Sequence, residues 1–178
     1  ISSRRKEIES TLDLDTLYIG GGTPSVLPLS VLRRILGDLE AIRDGGSYSE
    51  FTIEVNPEDI VERGPEYVQG LLDLGVTRFS MGVQSLDDGI LRWMNRRHSA
   101  DGARKAFNLI QSAAHGEILP STALSIDLIT GVPGMTTEIL ESTLDEVIRW
   151  HPEHISAYQL SIEEGSALAK MIAEGQKK

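Results

Sequence analysis

Cysteine is missing altogether from the 178 residues. Without it there is no disulfide, no thiolate nucleophile, no Cys-ligated zinc and no iron–sulfur cluster held by this chain alone. Positive charge is also scarce: 17 Lys and Arg stand against 27 Asp and Glu, a formal net charge of −10. Such a chain has no general electrostatic pull towards nucleic acid or an anionic bilayer. The densest basic stretch, Arg92 to Arg97, is interrupted by Trp93, Met94 and Asn95. No apolar run approaches the roughly 20 residues that span a bilayer, and no apolar signal core follows Ile1-Ser2-Ser3-Arg4-Arg5. These absences predict a cytoplasmic protein with no nucleic-acid partner and no membrane insertion. An initiator methionine is also lacking, and the last residues, Glu174-Gly175-Gln176-Lys177-Lys178, follow directly on a helical pattern. Both ends therefore read as cut from something longer, or processed, with residues 1–178 as one fragment of a single domain.

What is present is ordinary globular composition, 40% hydrophobic and 25% charged, with enough length for a sizeable core. Short apolar runs alternate with helical patterns. Strands are predicted at Thr16–Gly20, Phe51–Val55, Arg78–Val83, Leu124–Ile129 and His154–Gln159. Between them, Pro28–Ile42 carries Leu32, Ile35, Leu36, Leu39 and Ile42 on one helical face. A loop is predicted at Asp44-Gly45-Gly46-Ser47, and Asn56-Pro57 reads as a strand breaker. Tyr67–Leu74 reads as a short helix ended by Gly75, and Asp88–Met94 as a helix capped by Asp87. Ser99 can cap a helix bearing Ala103, Phe107 and Ile110. Leu140, Leu144, Val147 and Ile148 line another helix, and a last one spans about Ala167 to Ala173. Strand–helix, repeated about five times, indicates an α/β fold with a parallel sheet under helical cover. A doubly wound open sheet and part of a (β/α) barrel both fit. Gly20 to Thr23, Glu54, Gln84 and Asp127 all fall at or near C-terminal strand ends, where a barrel gathers its active site. Four successive strands that each send a polar group to one mouth favour the barrel.

Those polar positions are also the candidates for chemistry. In Gly20-Gly21-Gly22-Thr23-Pro24, consecutive glycines remove the Cβ atoms from a strand end, so a ligand can touch backbone; a tight turn is the plain alternative. The stretch is neither a dinucleotide fingerprint, since Ser25 stands where a third glycine would be, nor a P-loop. Glu54, between Ile53 and Val55, is costly to bury unless paired, with Arg78 as a structural partner or with a ligand. Gly82-Val83-Gln84-Ser85 combines close backbone approach with a carboxamide. Arg96 can grip a carboxylate through two parallel hydrogen bonds or lie on a solvated helix end. His98, beside two arginines, reads as a poor general base. Asp127, flanked by Ile126 and Leu128, can accept hydrogen bonds from ribose hydroxyls. Asp13, Asp15, Glu138, Glu141, Asp145, Glu146, Glu163 and Glu164 read as solvated charges, and Trp150 as a packing residue. His115, His151 and His154 have no metal-ligand spacing.

Taken together, the motifs resemble the radical-SAM enzymes, and among them the family of oxygen-independent coproporphyrinogen III oxidase and its haem-chaperone branch. The matching stretches are Leu17–Ser25, Ile53–Pro57, Arg78–Ser85, Asn95–Ser99, Ser125–Gly134 and Ile155–Leu160. They run in family order over nearly the whole chain. The resemblance implies a partial (β/α)6 TIM-like barrel that binds S-adenosylmethionine (SAM) at its mouth. By matching position, the backbone of Gly21, Gly22 and Thr23 would meet the amino group of SAM. Glu54 would help hold the methionine part, and Arg96 would pair with its carboxylate. Gln84 and Asp127 would contact the ribose, and Ser161 would border the adenine. The family's C-x-x-x-C-x-x-C loop, which holds a [4Fe–4S] cluster, precedes the glycine motif. Only Ile1 to Asp15 stand there in this chain, without cysteine, so the first barrel strand, its cluster loop and the C-terminal domain are expected to be absent. The resemblance thus implies the SAM-binding part of a parent that handles porphyrin or haem, inactive by itself. Arg96-Arg97-His98-Ser99 and Ile155–Leu160 resemble the haem-chaperone branch more than the oxidase. A metabolite-binding barrel without radical ancestry is the third reading.

Overall fold

The computed structural model describes residues 15–40, 48–114 and 122–175. Five strands form one parallel sheet in sequential order: β1 (Thr16–Ile19), β2 (Glu50–Val55), β3 (Arg78–Gln84), β4 (Ala123–Thr130) and β5 (His154–Gln159). The helices are α1 (Leu29–Glu40), α2 (Pro57–Asp73), α3 (Asp88–Trp93), α4 (Ala100–Ala114), α5 (Thr137–Arg149) and α6 (Ala167–Ala173), with a 3-10 turn at Pro24–Val26 after β1.

Strand order decides between the two architectures. A doubly wound sheet reverses direction part-way, which puts helices on both faces. Here each strand pairs with the next without reversal. Right-handed crossovers then carry the helices that connect successive strands to the same side. The result is a five-stranded wall of a (β/α) barrel, as the polar strand ends predicted.

Burial follows the same division. Phe51, Ile53, Val55, Phe79, Met81, Val83, Leu124, Ile126 and Leu128 form one buried cluster with Leu32, Val68, Leu71, Phe107, Ile110 and Val147 of the helices. Alternate strand positions point the other way: Tyr18, Thr52, Glu54, Ser80, Gly82, Ser125, Asp127 and Tyr158. Register puts Glu54 opposite Ser80, and Ser80 opposite Ser125. The apolar neighbours of Glu54 and Asp127 thus lie on the opposite face from the carboxylates, which are half-buried. At the base of the wall, Trp150 stacks on Phe107 with ring centroids 4.7 Å apart, a packing role as expected.

Local signals account for most boundaries. The Asp87 carboxylate accepts the Ile90 amide at 2.9 Å and caps α3. Ser99 Oγ accepts the Gly102 amide at 3.1 Å at the head of α4. Thr136 and Ser166 do the same for α5 and α6. The helix expected at Tyr67–Leu74 instead begins at Pro57. Pro57 breaks β2 but is also preformed for the first helical turn, where Glu58 and Asp59 suit the dipole. The true interruption is Gly64, at φ +74°, followed by Pro65. Glu146, expected to be solvated, instead takes a bidentate pair from Arg104 at 2.6 and 2.9 Å, tying α5 to α4. The loop expected at 44–47, and Ile42, Asp13 and His115, lie outside the described residues.

This two-faced sheet predicts unequal costs for truncation. Phe79 is fully buried, so Phe79→Ala should lower unfolding free energy by about 3–5 kcal/mol. Tyr158 is 59% exposed on the other face, so Tyr158→Ala should cost under about 1 kcal/mol. Urea unfolding of the two variants measures both.

Candidate functional site

The polar face of the sheet ends in a cleft of about 340 Å³, within the roughly 300–1,000 Å³ of small-molecule sites. Tyr18, Gly22, Glu54, Asn56, Ser80, Gly82, Gln84, Arg96, Asp127, Ile129 and Tyr158 are among its lining residues. Strand ends of β1 to β5 supply most of them. Arg96 comes from the turn after α3, where Asn95 adopts φ +58° and the Arg96 amide donates to the Leu91 carbonyl at 2.9 Å.

The glycine turn is built around Glu54. One carboxylate oxygen accepts the Tyr18 hydroxyl at 2.6 Å, and the other accepts the Gly21 amide at 2.9 Å. Gly20 must lack a side chain: a Cβ there would sit 2.8 Å from the Glu54 carboxyl carbon and also strike the Tyr18 ring. Gly21 and Gly22 have φ of +80° and +38°, with open space where a Cβ would be. The backbone therefore faces the mouth uncovered. Burial of Tyr18, its hydrogen bond to Glu54 and the charges of Glu54 and Asp127 push its phenol up to about 12. Tyr18 stays a donor throughout the physiological range. Arg78, the structural partner expected for Glu54, pairs with Glu50 at 3.3 Å instead. It lies one layer below, opposite Thr52.

Across the cleft, Ser80 Oγ donates to Asp127 Oδ2 at 2.8 Å and leaves the other oxygen without a partner among the described residues. Gln84 holds φ +67°, an unusual value for a residue with a side chain. A register irregularity between Met81 and Gln84 sets Gln84 opposite Leu128. An unbroken ladder would have put it beside Ile129, one step further out. Its carboxamide lies over Gly82, where a Cβ would come within 2.7 Å of Nε2. Neither the Gln84 carboxamide nor the Arg96 guanidinium has a hydrogen-bond or ion-pair partner among the described residues.

Of the eight residues expected from the sequence, Gly22, Glu54, Gln84, Arg96 and Asp127 line the cleft. Gly21 is one residue behind, its amide turned into Glu54. Thr23 and Ser161 do not line it. The Thr23 carbonyl accepts the Val26 amide in the 3-10 turn, and Ser161 Oγ donates to Glu163. Tyr18, Asn56, Ser80 and Tyr158 were not anticipated. Strand alternation marks three of them: Tyr18 lies two residues before Gly20, Ser80 is in register with Glu54, and Tyr158 stands opposite Ile129, two residues beyond Asp127. Asn56 stands at the head of α2, makes no capping bond and lines the cleft.

Behind this wall lies a second, unanticipated cluster. Ser25 Oγ donates to Asp59 at 2.5 Å and accepts the Asn56 amide at 3.1 Å. Arg97 reaches Glu58 at 3.0 Å and Asp59 at 2.9 Å. Tyr67 and Arg63 donate to the carbonyls of the 25–27 turn, Arg63 also to the Val26 carbonyl. His98, expected to feel two arginines, instead has Nδ1 3.1 Å from the Glu58 carboxylate. The Arg97 guanidinium is drawn away by the same acids. Burial alone would push the Glu58 carboxyl up. The hydrogen bond from His98, that from backbone and the charges of His98 and Arg97 outweigh it and hold the group down to about 2. Among the described residues no cluster of His, Asp or Glu could hold a metal ion, and no helix is long and apolar enough to cross a membrane.

Comparisons with known proteins bear on the family and the fold. The family profile described as the radical SAM superfamily matches residues 5–147. The haem chaperone HemW of Lactococcus lactis is 33% identical over 151 residues, 85% of this chain and 38% of the relative. A zebrafish protein (Danio rerio), radical S-adenosyl methionine domain-containing protein 1, mitochondrial, is 31% identical over 177 residues, 96% of this chain and 38% of the relative. Among solved structures, coproporphyrinogen III oxidase (HemN) from Escherichia coli, a radical SAM enzyme, superposes with a TM-score of 0.71 at 25% identity. That match covers 91% of this chain and 40% of HemN. The chain thus spans about two fifths of the length of these proteins.

The Glu58 cluster makes a prediction at acid pH. The carboxyl is lowered from 4.5 to about 2, so its contribution to stability is complete above about pH 4.5 and is lost as pH falls towards 2. Unfolding free energy measured against pH should decline less steeply across that window in Glu58→Gln than in the unaltered chain, while starting from a lower value at pH 7.

Proposed function

The chain belongs to the radical SAM superfamily, and on that premise we propose that it is the SAM-binding part of a coproporphyrinogen oxidase-like protein acting in porphyrin or haem metabolism. The observation that carries the reading is the distribution of charge in the cleft. A guanidinium without a partner among the described residues, Arg96, faces a wall that bears two carboxylates and an uncovered glycine turn. A zwitterionic amino acid with a polyhydroxylated sugar fits that donor set. Its carboxylate would go to Arg96 in a charge-assisted, bidentate pair. Its ammonium would sit by the turn at Gly21–Thr23, near Glu54. Its ribose hydroxyls would reach the free oxygen of Asp127 and the free carboxamide of Gln84. Ser161, two residues beyond the end of β5, would border the adenine from outside the described lining.

The residues present do not fit an iron–sulfur cluster. The family uses cysteine thiolates, and this sequence has none. Any [4Fe–4S] cluster would take its ligands from sequence beyond these residues. What this chain's own groups do is bind and orient. Tyr18 keeps Glu54 in place, Ser80 keeps Asp127 in place, and Gly20 and Gly82 let backbone and carboxamide approach closely.

Two branches of the family remain as readings of the whole protein. The haem-chaperone reading is favoured by the names of the relatives from Lactococcus lactis, Bacillus subtilis and Haemophilus influenzae, and by the residues 96–99 and 155–160. On that reading the parent holds haem and passes it on. On the other it oxidises coproporphyrinogen with SAM cleavage.

The first test is electron paramagnetic resonance of the full-length parent, reconstituted anaerobically with iron and sulfide. A reduced [4Fe–4S] signal that shifts on adding SAM supports the proposal; a folded protein in which no such cluster forms overturns it. Haem retained without decarboxylation of coproporphyrinogen selects the chaperone, and decarboxylation selects the oxidase. In the same protein, Arg96→Ala should weaken SAM binding about 10- to 100-fold, since it removes a charge-assisted pair. Equilibrium dialysis measures it.

A further inference from the structure

The cluster behind the cleft touches no ligand position, yet one ring in it meets both walls. The His98 side chain is 1% exposed. Its Nε2 lies 3.0 Å from the Val83 carbonyl oxygen, and its Nδ1 lies 3.1 Å from Glu58 Oε2. A carbonyl oxygen only accepts, and so does an ionised carboxylate. Both ring nitrogens must therefore donate, and the ring that satisfies both partners is an imidazolium.

The two acceptors matter because of what adjoins them. Val83 precedes Gln84, the cleft residue at φ +67° beside the register irregularity. A charged donor on the Val83 carbonyl fixes the peptide plane from which that unusual conformation starts. Glu58 lies in the first turn of α2, and its other oxygen takes Arg97 Nε at 3.0 Å. Arg96 stands immediately before Arg97 and two residues before His98. The guanidinium of Arg96 has no partner of its own among the described residues, so its reach into the cleft depends on where its backbone is held.

From these contacts we propose that His98 is a positioning residue for SAM, holding Gln84 and Arg96 on their two sides of the cleft. The inference rests on the SAM reading of that cleft. Loss of the ring would release both ties, to the Val83 carbonyl and to Glu58. The groups that face it are Glu58 from α2 and the Val83 carbonyl from β3, with Arg97 behind Glu58. From α4, Gly102 stands beside it, where a Cβ would come 3.7 Å from the His98 Cβ. Asp88 of α3 is nearby but engaged, accepting the Ala100 amide at 2.8 Å.

The experiment uses the full-length parent, unaltered and as His98→Ala, His98→Gln and Arg96→Ala, with circular dichroism to verify folding. SAM affinity is measured by equilibrium dialysis near neutral pH. His98→Ala should bind about tenfold more weakly than the unaltered protein. His98→Gln keeps a donor for the Val83 carbonyl and should recover part of that loss, and it carries the test if the alanine variant fails to fold. His98 variants that match the unaltered protein in affinity, while Arg96→Ala weakens binding, overturn the inference and leave the SAM reading standing. No SAM binding by the unaltered protein, or none lost in Arg96→Ala, overturns both.

Discussion

Successive side chains of a β-strand must point to opposite faces, and in this wall that single constraint separates stability from chemistry. Ile53, Phe79, Met81, Ile126 and Leu128 turn towards the helices and are fully or nearly fully buried. Their neighbours Glu54, Ser80, Gly82 and Asp127 turn towards the cleft. Burying each large apolar side chain contributes about 1.5–3 kcal/mol. Carboxylates on that face would be desolvated without partners. Sequential pairing of five parallel strands then stacks these polar positions into one mouth, because parallel strands all end at the same side.

The mouth and the layer behind it are held by side-chain hydrogen bonds. Tyr18 and Gly21 converge on Glu54, Ser80 on Asp127, and Ser25 on Asp59. Glu58 and Asp59, at the head of α2, gather Arg97 and His98 from the segment after α3. Every carboxylate nearest the cleft thus has at least one partner, while Arg96 and Gln84 are left without any among the described residues. That contrast is what supports the proposal of a ligand with an acidic group and hydroxyls; the chain itself belongs to the radical SAM superfamily.

The sequence by itself determined the strand–helix alternation, the caps at Asp87 and Ser99, and the polar residues that end four strands, because these rest on local periodicity and on hydrogen bonds that span three residues. It also determined the glycine turn, since only glycine tolerates φ +80° and the approach of Glu54. Tertiary structure alone decided which partners these groups take. Glu54 belongs to Tyr18 and Gly21 rather than Arg78 because register sets Arg78 one layer below. Glu146 belongs to Arg104, 42 residues away. His98 answers to Glu58 and Val83, not to the arginines beside it in the chain. Charges that are neighbours in sequence can point apart. Those that meet across strands are chosen by register and packing, which no local pattern records.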